Sequence, residues 1–234
     1  MRLRNHVYLV SGGMFGKLGN VYLVQHAKGY IMIDCGRYDA LEVILENLAY
    51  WGIAPEAITH LLLTHGHDDH AGSSSYFQKC GAIVCVGRGD EKMMMRGNFG
   101  KQSPYQNHSM PPCTPDYIFE DDEMLQIEDV KVEAVCVPGH TKGSMLYRIV
   151  VYGEELVFSG DLYFADGETG EEAATGWKGD MSYDGKVMGE SFAKLWKMNL
   201  RPVLFGGGHG IPIIGKPAKD ILMIAYKYYL LHNR

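Results

Sequence analysis

The chain has 234 residues, 46% hydrophobic and 21% charged, an ordinary globular composition able to bury a large core without staples. Its 28 acidic residues outnumber 22 basic ones, for a formal net charge of −6 and a pI near 5.9. That balance argues against a nucleic-acid or anionic-membrane surface, which would need a basic face. Cys35, Cys80, Cys85, Cys113 and Cys136 are odd in number and never spaced as CxxC. They read as reduced thiols of a cytoplasmic protein, with a Cys80–Cys85 bridge as the alternative. No apolar run approaches the ~20 residues of a membrane span.

In chain order, three β-rich runs come first, at 6–10, 20–24 and 30–34, separated by the turn formers Ser11-Gly12-Gly13 and Lys28-Gly29. Residues 39–48 carry Leu41, Ile44, Leu45 and Leu48 at the helical period. An apolar run at 61–63, a helix at 73–79 and a strand at 82–86 follow. The stretch 87–115, with Met93-Met94-Met95 and Pro111-Pro112, reads as a helical turn plus a long loop. The methionines suit core filling better than metal ligation.

Strands resume at 124–127, 130–137, 145–151 and 156–159. A second irregular insertion, 164–184, contains Trp177 and Tyr183. A helix at 185–198, a strand at 203–205 and a last helix from about Pro217 complete the chain. Ile221, Leu222, Ala225, Tyr228 and Tyr229 share one face of that helix, which makes it a packing face. No repeat or linker-like seam divides the chain, so residues 1–234 are expected to form one domain with insertions near 87–115 and 164–184.

The densest chemistry lies in Thr64-His65-Gly66-His67-Asp68-Asp69-His70, directly after Leu61-Leu62-Leu63. A strand that delivers imidazoles and carboxylates on a short turn can aim several ligands at one point. Such nitrogen and oxygen donors suit zinc, and also iron or manganese. Three further polar residues sit at apparent strand ends: His140 in Pro138-Gly139-His140-Thr141, Asp161 in Ser159-Gly160-Asp161, and His209 in Gly206-Gly207-Gly208-His209-Gly210. Small neighbours would let the backbone approach a crowded centre. Singly, each has a structural explanation as a cap, a satisfied core histidine or a glycine turn; their joint order after the cluster points to one site.

These motifs resemble the metallo-β-lactamase-fold hydrolases. Residues 64–70 match the HxHxDH signature, Asp34 matches the acidic residue after an early strand, and the segments around His140, Asp161 and His209 match the later motifs in order. The resemblance implies an α/β fold, an αββα four-layer sandwich of two mixed sheets face to face with helices outside. It implies two divalent metal ions, with zinc favoured and iron or manganese as substitutes. His65, His67 and His140 would hold the first, and Asp69, His70 and His209 the second, with Asp161 bridging both. Asp34 would orient a ligand. Asp68 is chemically as able a ligand as Asp69, and only the family pattern chooses Asp69.

The expected chemistry is hydrolysis of a small-molecule ester, thioester or lactone by a metal-bridged hydroxide, with Asp69 passing a proton to the leaving group. Several branches of the family differ at readable positions. The best-known β-lactamases place a cysteine where Asp161 stands, and glyoxalase II adds a helical, basic C-terminal module that this chain lacks after His209. N-acyl homoserine lactonases carry a tyrosine three residues after the bridging aspartate, where this chain has Phe164. Tyr163 is therefore the candidate for the oxyanion hole. Trp177 and Tyr183 are candidates for lining a pocket or for packing. The alternatives are a persulfide dioxygenase-like oxidoreductase with one iron on His65, His140 and Asp161, and a phosphodiesterase. A homodimer, with the first insertion lying on a partner chain, is left open.

Overall fold

The computed structural model describes residues 1–12, 19–98, 109–166 and 171–232. Strands β1 (Arg2–Arg4), β2 (Val7–Ser11), β3 (Val21–His26) and β4 (Gly29–Ile33) form an antiparallel meander. Helix α1 (Leu41–Tyr50) leads to β5 (Ile58–Leu62), which lies parallel to β4. Helices α2 (Asp68–Ala71) and α3 (Ser74–Lys79) precede β6 (Ile83–Gly87), and α4 (Glu91–Arg96) precedes β7 (Tyr117–Phe119), each strand adding in parallel. The first sheet thus follows chain order, β1 through β7.

A second meander comprises β8 (Glu123–Ile127), β9 (Val130–Cys136), β10 (Met145–Val151) and β11 (Glu154–Gly160). The hairpin β12 (Phe164–Asp166) with β13 (Glu172–Ala174) and helix α5 (Gly185–Met198) come next. Strand β14 (Leu204–Gly207) then returns parallel to β11, with β15 (Ile213–Ile214) antiparallel to it and α6 (Ile221–His232) after. The second sheet has the order β15-β14-β11-β10-β9-β8.

Three apolar clusters define four layers. Between the sheets, Tyr22, Val24, Ile31 and Ile33 meet Val132, Tyr147, Ile149, Leu156 and Phe158. On the outer face of the first sheet, Leu23, Met32, Leu61 and Val84 pack against Ile44 and Leu48 of α1, Phe77 of α3 and Met94 of α4. On the outer face of the second, Val135, Leu146, Val157 and Phe205 pack against Met188, Phe192 and Leu195 of α5, and Ile221, Ala225 and Tyr229 of α6. Strand residues alternate between the two clusters because successive side chains point to opposite faces of a sheet. This is the αββα sandwich expected.

Local signals explain the element ends. Asp184 caps α5 by accepting from the backbone N–H of Lys186 and Val187, and Asn199 ends it in the left-handed conformation. Met93 and Met94 are buried as core filler, whereas Met95 is exposed. The last helix starts later than expected, since Pro217 lies in a 3-10 turn, Lys216–Lys219, ahead of α6. The second insertion contains the β12–β13 hairpin rather than wholly irregular chain. Much of the loop expected in 87–115 lies outside the described residues, which leave out 99–108. All five cysteines are free, so no Cys80–Cys85 bridge forms. Among the described residues no helix is long and apolar enough to cross a membrane.

Candidate metal centre

Both sheets end their central strands at the same edge, and the polar residues found in the sequence follow those ends. Asp34 follows β4, residues 64–70 follow β5, His140 follows β9, Asp161 follows β11 and His209 follows β14. The backbone bends sharply to make these turns. Gly160 has φ +52°, and a Cβ there would overlap the Thr64 side chain. Asp34 itself has φ +57°, a conformation uncommon outside glycine and seen where surrounding contacts over-determine it.

The ring nitrogens of three histidines meet at one point. His65 Nε2 lies 3.1 Å from His67 Nδ1 and 3.2 Å from His140 Nε2, and His140 Nε2 lies 3.1 Å from His67 Nδ1. A second group lies beside it. His70 Nε2 is 3.4 Å from His209 Nε2 and 3.5 Å from Asp69 Oδ2, and His209 Nε2 is 3.2 Å from Asp69 Oδ2. Asp161 stands between the groups, with Oδ1 3.3 Å from His70 Nε2 and Oδ2 3.3 Å from His209 Nε2 and 3.7 Å from His140 Nε2. His65, His70 and His140 are almost fully buried, whereas the Asp69 and His209 side chains keep about a quarter of their surface, 25% and 22%. The site therefore opens on the Asp69–His209 side.

The donor set fits divalent cations. Burial, with the charge of His70, keeps His65 well below the usual imidazole pKa, and burial with His67 pushes His140 down to about 4, so both rings are neutral and their lone pairs available. In the second group, against the cost of burial, His209 and His70 hold the Asp161 carboxyl well below the usual range. Among the described residues the ion-pair partners of Asp69 and Asp161 are histidines only. Asp161 Oδ1 is buried and accepts no hydrogen bond among them. A buried carboxylate with an orphaned oxygen, Asp161, and a partly exposed one, Asp69, both compensated by imidazoles, match what bound cations would satisfy better than water could.

A second ring of residues fixes these side chains. Asp34 accepts from the Thr64 N–H at 2.7 Å, the Thr64 hydroxyl at 2.7 Å and His70 Nδ1 at 2.8 Å, which turns His70 Nε2 toward the site. Three further members escaped the sequence reading. Asp90, buried just ahead of α4, accepts from the N–H groups of Gly66 and Gly143 and from the Thr141 hydroxyl. Asn20 donates to the carbonyls of Gly207 and Gly210, and its own N–H to that of Gly208, tying the first sheet to the His209 loop. Asp180, in the second insertion, accepts from His67 Nε2 at 2.9 Å. No local pattern marks any of them, because each partner is distant in sequence; only the loop position of Asp180 within an insertion of uncertain role was a hint.

The structure corrects the reading of Tyr163. Its ring is buried in the α5-side cluster, 5.0 Å from Phe205 and 5.8 Å from Phe192 between ring centres, and it does not join the ligands. The neighbouring Phe164 faces His209 instead, edge-on at 5.7 Å. A shift of one residue reverses the face to which a side chain points. Tyr183 packs against the same cluster, and Trp177 is 42% exposed. Asp68 stands within electrostatic range of Arg37 and belongs to none of the ligand groups among the described residues.

Known proteins resemble this chain in sequence and in fold. The chain is 26% identical over 162 residues to metallo-beta-lactamase domain-containing protein 1 of Xenopus laevis, covering 68% of this chain and 60% of that protein. It is 28% identical over 148 residues to a hydroxyacylglutathione hydrolase of Aeromonas hydrophila subsp. hydrophila, covering 63% of this chain and 47% of the relative. The match thus spans roughly half to three fifths of these relatives' length. A subclass B3 metallo-beta-lactamase of Bradyrhizobium japonicum superposes with a TM-score of 0.75 at 20% identity, covering 100% of this chain and 90% of that one, which establishes the shared fold. The metallo-beta-lactamase superfamily model itself matches residues 15–206, a span that includes His65, His67, Asp69, His70, His140 and Asp161 and ends within β14, three residues before His209. This chain belongs to the metallo-beta-lactamase superfamily.

Proposed function

We propose that the chain is a binuclear metal-dependent hydrolase acting on a small-molecule ester, thioester or lactone. The observation that carries this is the adjacency of the ligand groups, with Asp161 carboxylate oxygens 3.3 Å from His70 and His209 and 3.7 Å from His140. His65, His67 and His140 would hold one ion, Asp69, His70 and His209 the other, and Asp161 would bridge them. The donors are nitrogen and oxygen only, which suits zinc and admits iron or manganese. When bound, a pair of such ions would supply an activated water and polarise the oxygen of a scissile carbonyl.

The chain's own residues supply the rest. Asp69 is the carboxylate on the open side of the site, placed to take the proton released by the attacking water and return it to the leaving group. Phe164, edge-on to His209, gives that side an apolar wall where a tyrosine hydroxyl would stand in a lactonase. The buried side, closed by Asp34 and Thr64, holds the ligands in one geometry before substrate arrives. The relatives named hydroxyacylglutathione hydrolases support a thioester within this class.

Elemental mass spectrometry on protein purified without chelator, followed by assay against aryl esters, thioesters and lactones, tests the reading. Two divalent ions per chain and turnover that is lost on chelation are expected. One iron per chain, with oxygen consumed when a persulfide is added, would overturn it.

A further inference from the structure

We propose that Asp180 is the positioning residue for the first metal: it selects the ring nitrogen that His67 presents. The inference rests on the reading of His65, His67 and His140 as that metal's ligands. His65 and His140 both point Nε2 at the shared centre, whereas His67 points Nδ1. Its Nε2 lies 2.9 Å from Asp180 Oδ2. A carboxylate only accepts, so the ring proton of His67 must sit on Nε2, which leaves the Nδ1 lone pair free for a cation.

Asp180 is itself held in place. Its Oδ1 accepts from the Ser182 N–H at 2.6 Å and the Ser182 hydroxyl at 2.5 Å, so only Oδ2 is available to the histidine. The surrounding strap is tied to the same half of the site. The Gly176 N–H donates to the Asp161 carbonyl at 2.8 Å, and a Cβ on Gly176 would come within 2.8 Å of His140 Nδ1. The Asp184 N–H donates to the Gly139 carbonyl, one residue before His140. Described residues 171–184 therefore touch the first ligand group and Asp161. Among the described residues, His70 is instead held by Asp34, and the His209 loop by Asn20.

This arrangement makes the isosteric substitution the harmful one. In Asp180→Asn the two Ser182 donors keep the amide oxygen on their side, so the NH2 group faces His67. The NH2 donates to Nε2 and drives the ring proton onto Nδ1, the ligating atom. Asp180→Ala leaves the ring free to choose either tautomer. Zinc titration of chelator-stripped full-length protein against a chromophoric competitor reads each site. Asp180→Asn should weaken one of two zinc ions about 10- to 100-fold, the usual scale for losing such a partner. Asp180→Ala should weaken that ion less, and the other ion should bind as in the unmodified protein in both. A generic structural role would give the opposite order, or weaken both ions together.

Long-range ¹H–¹⁵N spectra of the unmodified, metal-free protein, with the imidazole neutral, test the same point without any variant. A proton on His67 Nε2 is expected, and a proton on Nδ1 would overturn the proposal. If the unmodified protein takes up no zinc, the metal-site reading fails. If it takes up two and Asp180→Asn binds both equally well, only the role of Asp180 fails.

Discussion

Gly208 shows how little room the second ligand group leaves. A Cβ there would overlap Asp161 Oδ1 and come within 2.8 Å of both Gly160 C and His70 Cε1. The Asp161 carboxylate would have to shift, and neither neighbour is the loose end of a flexible chain. Gly208→Ala should therefore weaken metal uptake at least about tenfold, on the scale seen when a ligand's support is disturbed. Zinc competition checks it, and unchanged affinity would show that the loop yields freely. The sequence carried this much: small residues beside each ligand already suggested a crowded centre. It did not carry the direction of Tyr163, because the chain leaves β11 at Gly160, three residues earlier, and nothing local says which face comes next. The result is an aromatic pair with divided roles, Tyr163 filling the α5-side core and Phe164 standing against His209.

At the scale of elements, Asp90 joins the two turns that carry the first ligand group. Its carboxylate accepts from Gly66 N–H at 2.8 Å, between His65 and His67, and from the Thr141 hydroxyl at 2.7 Å and Gly143 N–H at 3.0 Å beyond His140. Truncation would leave the buried N–H groups of Gly66 and Gly143 without an acceptor, each costing ~1–3 kcal/mol, and would leave the Thr141 hydroxyl only Ser144 Oγ at 2.9 Å. Asp90→Ala should lower unfolding free energy by about 3 kcal/mol or more, seen as a lower urea midpoint at unchanged slope. An unchanged midpoint would mean the donors find other partners. In the sequence Asp90 falls within the stretch 87–115, read only as a helical turn plus a long loop, since burial of its carboxylate depends on a loop some 50 residues away. The long central strands were legible from their apolar runs for the opposite reason, each being buried on both faces. Strands β1, β7 and β15 were not, having only 3, 3 and 2 residues and so too little pattern to read.

For the whole molecule, the site is the place where the two sheets meet through polar groups rather than through the apolar interlayer. Asp34 and residues 64–70 come from the first sheet, and His140, Asp161 and His209 from the second. Within the metal-free chain these groups include two carboxylates whose compensation falls on neighbouring imidazoles. Cations that bind only the folded arrangement would clamp one sheet to the other, and by mass action would stabilise the fold. Free zinc at about a hundred times its dissociation constant should add about 2.7 kcal/mol per site. For a chain of this size that is a rise of roughly 5–10 °C in Tm per site, growing with the logarithm of zinc concentration. Differential scanning calorimetry of chelator-stripped protein across a zinc series reads this directly. On the proposed assignment Asp161 would bridge both ions, so Asp161→Ala should abolish most of the rise, whereas His209→Ala should remove only the share of the second ion. An equal loss in both variants would mean that the two ions are taken up as one cooperative unit, and a Tm indifferent to zinc would mean that the sheets are held by their apolar contact alone.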